Sequence, residues 1–227
     1  MGRRSVILVY PVRPGEVNPQ LLHSLRSVAA NLPDAEVVLL GHKPGWVRGV
    51  HHVPYSQPGV WRGHVPRMIR AFVEGQAPEN WVLMNDDFFA MSPNPCVELT
   101  YSGTLAQLSR RPGFRAGWYA QALHITRSAL RAWGVENPYS FDRIHKPLPV
   151  SNRALGDVLS RVGSSDVLIR SLYGNMVGGV EGSDAKLRGY FDPLPESGWV
   201  STGRDSWKGN PGKNLRHIYS RPSRFEV

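Results

Sequence analysis

The 227 residues are 41% hydrophobic, with seven Trp and eight Tyr, a composition that excludes global disorder and permits one domain with a sizeable core. With 27 Lys and Arg against 18 Asp and Glu, the net charge is +9; this attracts polyanions such as nucleic acid, an anionic membrane surface or a phosphorylated substrate, although a solubility charge explains it as readily. A single cysteine, Cys96, excludes an intrachain disulfide and a cysteine zinc cluster, and no apolar run reaches membrane-span length, so a cytoplasmic protein with neither signal peptide nor anchor is expected.

Behind a basic N-terminal tip, SVILVY is continuous and β-branched, as a buried strand is. PVRPGEVNPQ, rich in proline, must be a loop. Asn18 is placed to cap a helix with Pro19 in its first turn, and Leu21, Leu22, Leu25 and Val28 give that helix an apolar stripe to about Asn31. AEVVLLG is a second buried strand. Strand, loop, helix and strand in that order make a βαβ unit, which calls for a parallel sheet covered by helices. A short strand follows in VRGVHHVPYS, then a helix from about His64 to Glu74. NWVLMNDD is a strand whose apolar run stops at Asn85. Beyond it, helices are expected near 103–110, 126–133, 151–161 and 166–173, with short strands near 116–119 and 187–191. From Gly198 onward, central turn residues and six Lys or Arg after Gly203 suggest a segment that wraps the surface.

The acids that end NWVLMNDD carry the chemistry. In an open α/β sheet, ligands gather at the carboxyl ends of the strands, which places Asn85, Asp86 and Asp87 at a crevice. A strand running to its last residue would send Asn85 and Asp87 to one face and Asp86 to the other. One face could hold Mg²⁺ or Mn²⁺ through Asp87 and Asn85 while Asp86 accepts hydrogen bonds from a sugar or ribose hydroxyl. The cation would bridge the phosphates of a nucleotide diphosphate. A plain strand-ending turn accounts for the triplet equally well. As a strand-end residue Asp87 should support little core, so Asp87→Ala is expected to spare the fold.

These segments resemble two related groups, nucleotide-sugar glycosyltransferases of the GT-A type and the Stealth family of sugar-1-phosphate transferases. LVYPVRPG is similar to the first Stealth block. NPQLLHSLRSV, VVLLGHKPGWV and WVLMNDDFF are similar to the second, HKPLPVSNRAL to the third, and IRSLYGN to the fourth. Pro14 departs from the pattern, standing where the first block carries an Asp before its final Gly; that weakens the case for sugar-phosphate transfer more than the case for nucleotide-sugar binding. The segments STGRDSWKG and NLRHIYSRPSRFE resemble the ends of phage-encoded glycosyltransferase-like proteins, some of whose relatives glycosylate hydroxymethylated bases in phage DNA.

The resemblance implies a single α/β, Rossmann-like (GT-A-like) domain over 1–197, its mostly parallel sheet flanked by helices, with a basic extension, 198–227, packed on it. It implies a metal-dependent glycosyltransferase that moves a sugar from a nucleotide diphosphate sugar to a hydroxymethylated pyrimidine of DNA, in the cytoplasm of a phage-infected bacterium. Stealth-type sugar-1-phosphate transfer and a non-catalytic nucleic-acid binder are the alternatives. His145 would serve as metal ligand, phosphate contact or acid–base group. Tyr10, Arg13, Arg67, Asn85, Asp86 and Lys146 are the donor-binding candidates, whereas Arg26 reads as a solvated helix-face residue. Asp142, Asp184 and His124 are candidates for the base that takes the acceptor proton. Arg110, Arg111 and Arg115 alternate with Phe114, Trp118 and Tyr119, a mixture that suits a nucleic-acid acceptor, though aromatic residues are more often core. Lys208, Lys213, Arg216, Arg221 and Arg224 form the second basic cluster. Arg170, Tyr173 and Asn175 fall at a helix end where Gly174 suits a left-handed cap.

Overall fold

The apolar run of SVILVY becomes β1 (Ile7–Val12), the middle strand of a five-stranded sheet. A computed structural model describes residues 5–15, 17–55, 61–75, 77–164 and 166–227. The basic tip before Ser5, Glu16 of the first loop and the last residue of VRGVHHVPYS lie outside the described residues. From β1 the chain passes through α1 (Pro19–Asn31), β2 (Glu36–Gly41), β3 (His51–Pro54) and α2 (Trp61–Gly75) to β4 (Asn80–Leu83). Then come β5 (Phe88–Ala90), β6 (Thr100–Tyr101), the single-turn α3 (Leu105–Leu108), α4 (Gly117–Ala132), β7 (Leu148–Ser151), α5 (Asn152–Val162) and α6 (Ile169–Val177). The chain ends through β8 (Val180–Glu181), β9 (Lys186–Leu187), β10 (Trp199–Thr202), α7 (Arg204–Lys208) and α8 (Asn210–Ile218).

The sheet order is β3-β2-β1-β4-β7. All neighbours run parallel except β7, which pairs antiparallel with β4 at the edge. Side-chain alternation gives each face its own core. Leu8, Tyr10 and Val12 join Leu39, Val82 and Met84 against Leu21, Leu25 and Val28 of α1. On the other face Val9, Leu40, Trp81 and Leu83 meet Met68, Leu123, Leu155 and Leu172 from α2, α4, α5 and α6. Each fully buried aliphatic side chain adds about 1.5–3 kcal/mol relative to exposure. The expected single α/β domain, with a mostly parallel sheet flanked by helices, is what the chain forms.

A second, three-stranded sheet is ordered β5-β10-β9, with β10 antiparallel to β5 and parallel to β9. Residues 198–227, expected to wrap the surface, thus contribute a buried strand and bury Leu215, Tyr219 and Phe225 as well. Arg26, expected to be solvated, fastens this end of the chain: its Nε and Nη2 donate to the two carboxylate oxygens of Glu226 at 3.0 and 2.7 Å.

Several elements differ from expectation for local physical reasons. Asn18 does not cap α1 with its side chain; it sits left-handed at φ 39°, which Asn tolerates, and donates to the Arg13 carbonyl instead. Residues 116–119 begin α4 rather than form a strand, because Ala122, Leu123, Thr126 and Leu130 make one continuous buried helical stripe. The strand near 187–191 stops at Leu187, after which the Asp192 carboxylate accepts from the backbone N–H groups of Arg188 and Gly189 in a turn. Gly174 lies inside α6, and the left-handed residue is Gly178. A Cβ on Gly174 would stand 2.6 Å from the Phe141 ring, so close packing accounts for that glycine.

Candidate active site

The sheet order reverses between β1 and β4, and a cavity of about 750 Å³ opens at the carboxyl ends of those two strands. Such a switch point is where an open α/β sheet leaves a crevice, since the crossovers depart to opposite faces. Pro11 of β1 and Arg13 just beyond it line the cavity, with Leu83 of β4 and Asn85, Asp86 and Asp87 past that strand's end; Asp142, Arg170, Lys186 and Lys208 come from later segments.

β4 ends at Leu83, and Asn85–Phe88 is a turn closed by the Phe88 N–H donating to the Asn85 carbonyl at 3.2 Å. The strand alternation expected to part Asp86 from Asp87 therefore does not operate. Their partners part them instead. Oδ2 of Asp87, an 8% exposed residue, accepts from Lys186 Nζ at 2.9 Å and Ser201 Oγ at 2.8 Å. Asp86 has Arg13 Nε at 4.0 Å. Burial raises the Asp86 carboxyl pKa, and the neighbouring charge of Asp87 raises it further, outweighing the opposite pull of Arg13 and Lys186.

Asp142 and Arg170 line the same cavity. Oδ2 of Asp142 accepts from the Ser171 backbone N–H at 3.0 Å and Ser171 Oγ at 2.5 Å. Burial raises its pKa despite those bonds and the nearby Arg170 and His145. Arg170 donates from Nη1 to the Lys146 carbonyl at 2.8 Å and lies over the Phe88 ring, while its shielded Nη2 has no partner among the described residues. Burial lowers its pKa, and the charges of Asp142 and Asp87 oppose that shift.

His145 points elsewhere. Its Nδ1 donates to Asp184 Oδ1 at 2.9 Å, and Arg188 Nη2 donates to Asp184 Oδ2 at 2.7 Å. Burial would raise the Asp184 carboxyl, but the hydrogen bonds and charge of His145 and Arg188 prevail and hold it well below the usual carboxylate range.

The other expected residues divide. Trp118 and Tyr119 line the cavity, Trp118 donating from Nε1 to Asp166 at 3.1 Å. Lys208 lines it as well. Tyr10 is no donor contact: as an even-numbered residue of β1 it faces α1, fully buried, its hydroxyl donating to Ser24 Oγ at 3.1 Å. Burial drives the pKa of its phenol upward. Arg67 pairs with Asp166 at 3.4 Å, tying α2 to the segment before α6. Lys146 contributes its backbone carbonyl, through Arg170. His124 is exposed on α4.

Of the basic clusters, Arg110, Arg111 and Arg115 lie in an exposed loop, where Arg115 donates to the Arg110 carbonyl. Arg216 covers the Trp207 ring, and Arg224 covers Phe225 and donates to the carbonyls of Pro33 and Ala35. Lys213 and Arg221 are exposed. Tyr173 and Asn175 serve the framework: the Tyr173 hydroxyl oxygen accepts from the Ser151 N–H at 3.0 Å, and Asn175 clasps the Tyr139 backbone at 2.8 Å. Lys186 and Ser201, the partners of Asp87, were not among the expected residues. They lie 99 and 114 residues from it, and no local pattern announces either.

The fit of a divalent cation follows from these bonds. Such an ion needs oxygen ligands with free lone pairs and a local surplus of negative charge. Two donors occupy Oδ2 of Asp87, His145 is turned to Asp184, and among the described residues no three His, Cys, Asp or Glu side chains are grouped to hold a metal. An ion ligated by Asp87 would also stand beside the Lys186 ammonium, where like charges repel by about 4 kcal/mol per unit pair at 4 Å. The expected set of Asp87, Asn85 and His145 does not fit the ion.

No family model and no curated protein matches the chain. Among solved structures it is similar to the galactosyltransferase LgtC in complex with donor and acceptor sugar analogs, with a TM-score of 0.54, 11% identity and 95% of each chain covered. An active-site mutant of LgtC gives a TM-score of 0.52, again at 11% identity over 95% of each chain. The likeness is one of fold: this chain has the architecture of the GT-A glycosyltransferases. Among its described residues no helix is long and apolar enough to cross a membrane.

Proposed function

We propose that the protein is a glycosyltransferase that takes a nucleotide diphosphate sugar and moves its sugar to a hydroxyl acceptor. The observation that carries this reading is the Asn85–Phe88 turn at the switch point, which sets Asp86 beside Arg13, 4.0 Å away, in the lining of a cavity in a glycosyltransferase fold. Asp86 accepts hydrogen bonds from hydroxyls of the donor, and the cationic side chains of the cavity hold its diphosphate. As the anomeric carbon leaves the diphosphate oxygen, the bonding electron pair passes to that oxygen while the acceptor oxygen forms the new bond. The acceptor proton goes to Asp142, whose raised pKa suits it to receive a proton. No step is assigned to a divalent ion, because the ligand set does not fit one.

The acceptor we favour is DNA bearing hydroxymethylated pyrimidines, which places the reaction in the cytoplasm of an infected bacterium. The net charge of +9 and the cations Arg204 and Lys208 at the cavity support it. Incubation of nucleotide sugars with hydroxymethylcytosine, hydroxymethyluracil and unmodified DNA, followed by product mass spectrometry, tests both parts. A mass gain of one sugar on modified DNA, falling steeply with added salt as counterion release requires, is expected. A gain of sugar phosphate on a glycan would replace this reading with sugar-1-phosphate transfer, and salt-independent transfer to a neutral glycan would remove DNA as acceptor.

A further inference from the structure

The cavity carries its own counter-charges. Each of its carboxylates already has a cation of the chain nearby: Asp86 has Arg13, Asp87 has Lys186, and the charge of Asp142 acts on Arg170. Arg204 and Lys208 then remain in excess, so among the described residues the lining holds five cationic side chains against three carboxylates. A doubly negative diphosphate diester would balance that surplus. A divalent cation would instead enlarge it, and would compete with Lys186 for Asp87.

The ammonium of Lys186 is fixed where it stands. β9 holds its backbone beside β10, and Asp87 Oδ2, itself anchored by Ser201 of β10, holds its Nζ at 2.9 Å. Arg170 lies over the Phe88 ring, next in the chain to Asp87, and its Nη2 is shielded and lacks a partner among the described residues. An unpaired guanidinium N–H away from water is costly unless a ligand completes it, and a phosphate oxygen is the acceptor that guanidinium geometry suits best.

We infer that Lys186 and Arg170 take the place of a divalent ion at this site, binding the diphosphate of the donor and stabilising the charge that builds on the departing nucleoside diphosphate, so that the transfer is metal-independent. The inference rests on the glycosyltransferase reading above and deepens it. The ammonium and the guanidinium supply fixed positive charge at the leaving oxygen, which needs no reorganisation as the bond breaks. Lys186 therefore has two roles: it closes the three-stranded sheet through Asp87, and it presents positive charge to the donor.

The test is calorimetric binding of UDP, GDP, ADP and CDP, each in excess EDTA and again in excess Mn²⁺, with electron paramagnetic resonance of free Mn²⁺ recorded in parallel. At least one nucleotide should bind with affinities that agree within about twofold in the two media, and protein with nucleotide should leave the free Mn²⁺ signal no lower than nucleotide alone does. Lys186→Met should weaken that nucleotide at least about tenfold in EDTA, and Lys186→Arg should restore most of the loss. If Lys186→Met fails to fold, Arg170→Lys serves, since it keeps a positive charge near Asp142 and removes the unpartnered Nη2; it too should weaken binding. Binding seen only with Mn²⁺, or tightened about tenfold or more by it, overturns metal independence and leaves the glycosyltransferase reading standing. Failure of every nucleotide to bind in either medium overturns both.

Discussion

The two sheets of this molecule are stabilised by different means. In the five-stranded sheet, β1 and β2 are paired over six residues and sealed on both faces by aliphatic side chains. Its position is set by area removed from water, which is insensitive to any one polar contact. In the three-stranded sheet, β9 meets β10 over only two residue pairs, and the buried Asp87 joins Lys186 of β9 to Ser201 of β10. The large sheet thus fixes where the crevice opens, and a charged knot in the small sheet fixes what faces it. A site of this kind couples local stability to function at the same residue.

Substitutions should separate the two regimes. Leu39→Ala, in the middle of the large sheet, should cost about 2–5 kcal/mol, lowering the thermal midpoint of the whole domain without selective loss of donor binding. Asp87→Ala strips Lys186 and Ser201 of their acceptor and should cost about 2–3 kcal/mol. Its signature in hydrogen exchange is lost protection in β5, β9 and β10 while β1 and β2 stay protected; uniform loss in both sheets would erase the distinction. The early expectation that this substitution spares the fold therefore gives way.

Arg26→Ala, which releases the C-terminal segment from Glu226, should cost about 1–2 kcal/mol at neutral pH. Burial would raise the Glu226 carboxyl, but hydrogen bonds from Arg26 and Ser223 outweigh it and depress the pKa. A depressed carboxyl contributes stability that is present above its unfolded pKa, near 4.5, and that is lost as pH falls through the folded value. The acid limb of a stability–pH profile should accordingly be shallower in Arg26→Ala. Arg115→Ala, in an exposed loop where the guanidinium donates to the Arg110 carbonyl, should change stability by less than about 0.5 kcal/mol.

Those contrasts mirror what the residue pattern could reveal. β1, α1, β2 and β4 declare themselves because a buried strand needs a continuous apolar run and a helix needs a stripe, both of which are local. The crevice follows from the strand order such a unit imposes. The place of Asp86 and Asp87 at the crevice was legible, but the reason for their separation was not: the strand stops two residues before Asn85, and long-range partners then take over. Lys186 and Ser201 could not be found by spacing, because their link to Asp87 exists only once β9 and β10 have closed the small sheet. Tyr10 departs from expectation for the converse reason: a residue type suited to donor binding is buried against α1 and committed to Ser24, while Arg67 pairs with Asp166.

The central claim is that the cavity between β1 and β4 cleaves a nucleotide diphosphate sugar. Chromatographic measurement of nucleoside diphosphate released from a panel of such donors, with acceptor DNA present, addresses it most directly. The account predicts release by the native protein from at least one donor, and a loss of about a hundredfold or more in Asp86→Asn, whose uncharged amide accepts donor hydroxyls poorly. No release from any donor, or undiminished release by Asp86→Asn, would contradict it.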